Sequence, residues 1–200
     1  MNIGVLASGS GTNLQAIMEA CEEGKIAGRV AVVLSDRREA RALKRAGERG
    51  IPACFLDPKE YRDREAYDRA LAALLQKYGV EVVALAGFMR LVSPWFVRAY
   101  PMKIMNIHPA LLPAFPGTRG VEDALDYGVK VSGCTLHFVD EGLDTGPIIL
   151  QAAVEVRDDD TPESLHRRIH REEYRLYPRG LDLFARGNIE LKGRRCIVRG

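Results

Sequence analysis

Asn2-Ile3-Gly4-Val5-Leu6-Ala7-Ser8-Gly9-Ser10-Gly11-Thr12-Asn13 is the stretch that decides the fold. Residues 2–7 read as an apolar strand, the glycines open a tight turn, and residues 12–23 read as a helix. The same rhythm recurs outward along the chain. Residues 29–34 are a Val-rich strand, 38–49 a helix with Ala42, Leu43 and Ala46 at helical spacing, and 52–56 a short strand. Residues 64–78 form a helix whose stripe is Tyr67, Leu71, Leu74 and Tyr78, and 81–86 an almost wholly apolar strand. Strands alternating with helices predict an α/β fold, with a Rossmann-like, mostly parallel sheet and helices on both faces.

The second half changes character. A short helix over 94–100 leads to a fifth strand over 103–106. The loop 109–117 carries Pro109, Pro113 and Pro116 and is not regular structure. A helix over 121–127 precedes two longer alternating strands, 132–139 and 148–156, joined by a loop at 140–146; these C-terminal strands are expected to be partly antiparallel. Thr161 caps and Pro162 begins a helix running to residue 185, which Pro178 is expected to break or kink. A small hairpin over 189–198 follows. No repeat, low-complexity tract or linker intervenes, so residues 1–200 read as one domain with two lobes.

The glycine turn has its own chemistry. Backbone amides at a helix start attract an anion, and phosphate is the natural occupant. The dinucleotide fingerprint needs a third small residue, but Leu14 stands in that place. Asp36 ends the second strand where a ribose-binding acid sits, yet Arg37 and Arg38 follow it, and the lysine of a P-loop is missing. The turn therefore reads as a phosphate site or as a tight turn that binds nothing.

Met105-Asn106-Ile107-His108-Pro109, with Asp144 following His108 by 36 positions, is the second informative stretch. Alternation along a strand puts Asn106 and His108 on one face, with Met105 and Ile107 on the other. A neutral donor and a titratable imidazole thus leave the strand end side by side, and a carboxylate from the 140–146 loop is positioned to reach the imidazole. Such a trio stabilises a developing oxyanion and moves a proton near neutral pH. No activated Ser or Cys accompanies it. His137 shares a strand face with Thr135 and reads equally as a site-lining or a core histidine.

Bulk composition excludes several classes. Hydrophobic residues make up 46% of the chain and charged residues 28%, ordinary for a globular protein with a substantial core. A net charge of +2 gives no case for nucleic acid or an acidic membrane surface. Local basic pairs such as Arg37-Arg38 and Arg194-Arg195 read as solvated surface. Cys21, Cys54, Cys134 and Cys196 are widely spaced and suggest neither a disulfide framework nor a zinc site. His166 and His170 are four apart on a helix, but Arg167, Arg168 and Arg171 around them repel a cation, so no metal is expected. No signal peptide or membrane span is legible, and a cytoplasmic location is expected.

With these motifs in order, the chain resembles the folate-dependent phosphoribosylglycinamide formyltransferases. The stretches VLASGSGTNLQAI, LAGFMRLVSP, NIHPALLPAFPG and VDEGLDTGPIILQ carry the resemblance, which runs from Met1 to about Gly187. It implies direct formyl transfer from the co-substrate 10-formyltetrahydrofolate to the primary amine of glycinamide ribonucleotide. By this resemblance Asn106, His108 and Asp144 are catalytic, with Asn106 and protonated His108 donating to the tetrahedral oxyanion and Asp144 holding His108 charged. Ser10, Gly11, Thr12 and Asn13 take the substrate phosphate, and Glu173 holds its glycinamide end. Arg64, Met89, Arg90, Leu91, Val92, Asn106, Asp140 and Asp144 contact the folate. Residues 1–100 become a phosphate and ribonucleotide lobe, 101–187 a catalytic and folate lobe, and 188–200 a tail or hairpin. The resemblance also implies a cis peptide at Leu112-Pro113. One departure stands out. Many relatives carry histidine after the dipeptide matching Pro116-Gly117, where this chain has Thr118-Arg119-Gly120-Val121.

Methionyl-tRNA formyltransferases and formyltetrahydrofolate deformylases share the Asn–His–Asp set but carry additional domains, and sugar-nucleotide formyltransferases are usually longer. A 200-residue chain opening on its first strand is expected to be neither of the first two, while a sugar-nucleotide formyltransferase stays open as an alternative. A dinucleotide-dependent oxidoreductase conflicts with Leu14, and a silent nucleotide-binding module leaves Asn106, His108 and Asp144 without a purpose. Partners are expected to be small molecules, on a monomer or homodimer.

Overall fold

The computed structural model describes residues 1–199. Its elements run β1 (Asn2–Leu6), α1 (Thr12–Glu22), β2 (Arg29–Ser35), α2 (Arg41–Glu48), β3 (Ala53–Phe55), α3 (Arg64–Lys77), β4 (Val82–Leu85), α4 (Pro94–Ala99) and β5 (Ile104–His108). They continue with α5 (Gly120–Tyr127), β6 (Val131–Phe138), β7 (Ile148–Glu155), α6 (Pro162–Ala185) and the pair β8 (Ile189–Lys192) and β9 (Arg195–Val198).

One seven-stranded sheet has the order β3-β2-β1-β4-β5-β6-β7, and β8-β9 forms a separate hairpin. The strands from β3 to β5 are mutually parallel, whereas β5–β6 and β6–β7 are antiparallel. This is the expected α/β architecture. Strand order reverses between β1 and β4, and open α/β sheets bind ligands in the crevice at such a point.

Alternation along each strand feeds two cores. Val5, Val33, Ala84, Met105, Ile107, Leu136 and Phe138 pack with residues of α1 and α6 on one face. Leu6, Leu34, Val83, Leu85 and Ile104 pack with residues of α3 and α4 on the other. Because Met105 and Ile107 face α6, Asn106 and His108 must face the opposite way.

Several expectations need correction. Helix α2 starts at Arg41 rather than 38, because the Ser35 hydroxyl accepts from Arg37 N (3.1 Å) and stabilises a turn first. The buried stripe of α3 is Tyr67, Leu71 and Leu75, with Leu74 and Tyr78 only half-buried, a rotation of the face by one position. Strand β5 reaches His108 instead of stopping at Asn106, because antiparallel pairing carries it on to His108 opposite Thr135. Helix α6 runs unbroken through Pro178. A mid-helix proline costs about 3 kcal/mol, and burial of the neighbouring Tyr177 and Leu181 offsets that cost. Gly180 lets α6 approach β6, since a Cβ there would lie 2.0 Å from Leu136 Cδ2. The Tyr177 hydroxyl lies 2.8 Å from Met105 O and 3.1 Å from Leu85 O, so its one proton serves the end of β4 or the middle of β5.

Among the described residues no helix is long and apolar enough to cross a membrane.

Candidate active site

The glycine turn is shaped by α2. Gly11 has φ 69° and stands at the N-cap of α1; a Cβ there would lie 2.8 Å from Ala42 Cα. Only glycine suits both demands. No side chain caps α1 and no acid lies in its first turn, so its leading amides stay free for an anion. Arg45 donates from Nε to Ser10 O (2.9 Å), bringing a cation to the same turn. Ser8, which sequence reasoning passed over, accepts from Met89 N (2.8 Å) and ties the turn to the 88–92 segment.

Asn13, on the first turn of α1, donates from Nδ2 to a Glu173 carboxylate oxygen at 2.8 Å, and its own Oδ1 is buried without a partner. Burial pushes the Glu173 carboxyl above the usual range, opposed by the Asn13 hydrogen bond and by His166 and His108. His170 Nε2 lies 3.8 Å from Glu173, and its ring centroid is 4.0 Å from that of His166. Burial depresses both histidines, so they favour the neutral form.

Asn106, His108, Thr135 and His137 share one face of the antiparallel β5–β6 pair, with Asn106 opposite His137 and His108 opposite Thr135. Asp144 reaches this face from the 140–146 loop. Its carboxylate lies 3.5 Å from His108 Nδ1 and 3.7 Å from His137 Nε2, and accepts from Gly117 N (2.8 Å). Asp144 adopts φ 53°, which costs a non-glycine residue about 1–2 kcal/mol. Surrounding bonds must hold it there.

Hydrogen-bond chemistry separates the two histidines. His137 Nδ1 lies 2.8 Å from Phe138 O, and a carbonyl only accepts, so that nitrogen carries the proton. Burial lowers the His137 pKa, so the ring is neutral and its Nε2 accepts from Asn106 Nδ2 (3.3 Å). His137 thereby fixes which way the Asn106 amide points. His108 differs: Nε2 donates to Phe115 O (2.7 Å), while Nδ1 faces the Asp144 carboxylate. Phe115 O only accepts, so Nε2 carries a proton, and Nδ1 is left facing the carboxylate at 3.5 Å. Gly120 packs on this ring; a Cβ there would lie 3.1 Å from Nε2.

Thr135 anchors the loop above. It is fully buried, donates to Ala110 O (2.7 Å) and accepts from Leu112 N (3.0 Å) and Gln151 Nε2 (2.9 Å). The Leu112-Pro113 peptide is cis. A Thr in an apolar strand, two residues before His137, was the available signal for this role. Cys134 beside it is inert, its thiol pushed up to about 12 by burial.

The remaining candidates lie on other segments of the fold. Met89 and Leu91 expose 62% and 60% of their surface, while Val92 packs into the α3–α4 core. Arg90 sits over the Tyr67 ring (5.3 Å). Arg64 opens α3 and lines a shallow cleft of about 490 Å³ with Arg62, Arg69 and Ser93, apart from the histidine cluster. Asp140 accepts from Gly142 N (3.1 Å) and Thr145 Oγ1 (2.6 Å), bracing its own loop. Arg119 turns away toward Asp123 and Asp126 (both 3.6 Å). Among the described residues no group of three metal-binding side chains converges.

A family model described as formyl transferase matches residues 1–181. The chain belongs to the formyl transferase family. Within the family it is 44% identical to phosphoribosylglycinamide formyltransferase of Escherichia coli over 96% of this chain and 90% of that one. A solved formyl transferase fold, glycinamide ribonucleotide transformylase 1 from Symbiobacterium toebii, superposes with a TM-score of 0.99 at 56% identity, covering 100% of this chain and 94% of the other. Against the trifunctional purine biosynthetic protein adenosine-3 of Bos taurus the identity is 42% over 98% of this chain, which spans only 20% of that protein's length. The match to the formyl transferase model ends before β8 and β9 begin.

Proposed function

We propose that this protein transfers a formyl group from 10-formyltetrahydrofolate to the amine of 5'-phosphoribosylglycinamide, a step of purine biosynthesis, by direct transfer. The observation that carries this reading is the meeting of Asn106, His108 and Asp144 on one sheet face, with the Asp144 carboxylate 3.5 Å from the imidazole. Family membership and the uncapped start of α1 support it further.

The family resemblance supplies the roles of the binding residues, and the uncapped start of α1 supports the phosphate site. The ribonucleotide phosphate takes the amides of Ser10, Gly11, Thr12 and Asn13, and Glu173 receives the glycinamide end. Arg64, the 89–92 segment and Asp140 contact the folate. The amine attacks the formyl carbon, forming a C–N bond and a tetrahedral oxyanion. Asn106 Nδ2 has one proton directed at His137 and a second for that oxyanion. His108 adds a charge-assisted donor, and Asp144 keeps the ring cationic. His108 Nε2 is held by Phe115 O, so it reaches a ligand when that carbonyl gives way. The amine then loses its proton, the folate N10 gains one, and the C–N10 bond breaks. Water or Asp144 relays the proton.

Small molecules are the only partners this chemistry needs, on a monomer or homodimer, and the net charge of +2 offers nucleic acid no footing. We expect a cytoplasmic location. The deciding assay follows tetrahydrofolate release from 10-formyltetrahydrofolate with and without the ribonucleotide. Release only in its presence is expected. Equal release without it would mean hydrolysis, and no release in either case would remove formyl transfer altogether.

A further inference from the structure

We infer that Arg194, on the turn between β8 and β9, is a positioning residue that braces the loop carrying Asp144. From sequence alone Arg194 reads as solvated surface. In the structure its Nη2 donates to Thr145 O at 2.6 Å, one residue past Asp144 and 49 positions away in the chain.

The hairpin is built to deliver this contact. Lys192 pairs with Arg195, which leaves Gly193 and Arg194 as a two-residue turn, and Gly193 has the φ of 61° that such turns favour. Ile189 on β8 and Cys196 on β9 pack against the α1–α6 core, fixing the hairpin to the body of the fold. The turn therefore arrives at Thr145 from a rigid base.

Thr145 is the correct residue to hold. Its hydroxyl donates to Asp140 across the loop, and its carbonyl accepts from Arg194, so it is gripped on both sides. Asp144 immediately precedes it in the left-handed region, where a non-glycine residue persists only if its neighbours are held. Arg98 also reaches this loop, but its bond ends on the exposed Glu141 side chain (2.7 Å) rather than on backbone. Arg194 restrains the main chain beside Asp144; Arg98 restrains a flexible side chain.

This inference rests on the proposed role of Asp144, so its test has a readout independent of turnover. Wild type, Arg194→Ala, Arg194→Lys and the control Arg98→Ala are compared for kcat, KM and hydrogen exchange of amides 139–147. We expect Arg194→Ala to lower kcat about 3–10-fold with the ribonucleotide KM within about twofold, and to speed loop exchange about fivefold. Arg194→Lys keeps a donor and recovers most of both; Arg98→Ala changes little. In an Asp144→Asn background Arg194→Ala lowers kcat by less than about twofold, because the group it positions is already disabled. Unchanged loop exchange, an equal effect from Arg98→Ala, or full additivity with Asp144→Asn would overturn the inference. Should the wild type transfer no formyl group, the functional reading falls, and the exchange comparison alone decides the brace.

Discussion

Asn13 and Glu173, 160 positions apart, share a hydrogen bond of 2.8 Å that joins the start of α1 to the middle of α6. Burial raises the Glu173 pKa above its ordinary value of 4.5. The folded state then binds the proton more readily than the unfolded chain, so this group's contribution to stability falls as pH rises from that value through the folded pKa. Glu173→Gln keeps an acceptor for Asn13 and removes the buried charge. At pH 8 its Tm is expected to exceed that of wild type by about 2–4 °C for each kcal/mol recovered, the gap narrowing toward pH 4.5. The ribonucleotide KM should rise about tenfold or more. Thermal melts across pH and steady-state kinetics check both; a gap that widens in acid would contradict the sign.

Asp144→Asn should fold normally and lose about 10²–10³ in kcat. Asparagine tolerates the left-handed backbone better than most residues and keeps an oxygen for Gly117 N. It cannot hold His108 charged. Circular dichroism and single-turnover rates test the two halves; near-normal turnover would remove Asp144 from the mechanism.

Gly120→Ala separates positioning from stability. Its backbone suits any residue, yet the added methyl would sit 3.1 Å from His108 Nε2 and 3.3 Å from Phe115 O. The ring must tilt. A kcat loss of about tenfold with an unchanged Tm is expected, since a displacement near 1 Å costs up to about 10²-fold.

Gly11→Ala is strained twice, by φ 69° and by contact with Ala42. Left-handed backbone alone costs about 1–2 kcal/mol. Both Tm and ribonucleotide affinity should fall, with kcat at saturation less affected, as calorimetry and titration would record.

Local rules carried the sequence reading a long way. Strand parity is a property of the backbone, so it placed Asn106 and His108 together without any knowledge of neighbours. Glycines at 9 and 11 announced the turn for the same reason. What escaped depends on distant partners. His137 became the orienting group for Asn106 only through the β5–β6 register, which the sequence of one strand does not contain. Thr135 looked like any strand threonine until the 109–112 loop folded over it. The α3 stripe shifted by one position because Leu74 and Leu75 are equally apolar, and tertiary contact alone chose between them. Pro178 stayed inside α6 because packing outweighed a local preference.

If phosphate takes the uncapped start of α1, as proposed, this protein's melting depends on the anions dissolved around it. An anion seated on those amides binds the native chain and not the unfolded one. Its stabilisation grows as RT ln(1 + [L]/Kd), about 2.7 kcal/mol at a hundredfold excess over Kd. Two preparations that differ only in phosphate content would then unfold at different temperatures, and a melting curve becomes a gauge of substrate-like anions before any turnover is measured.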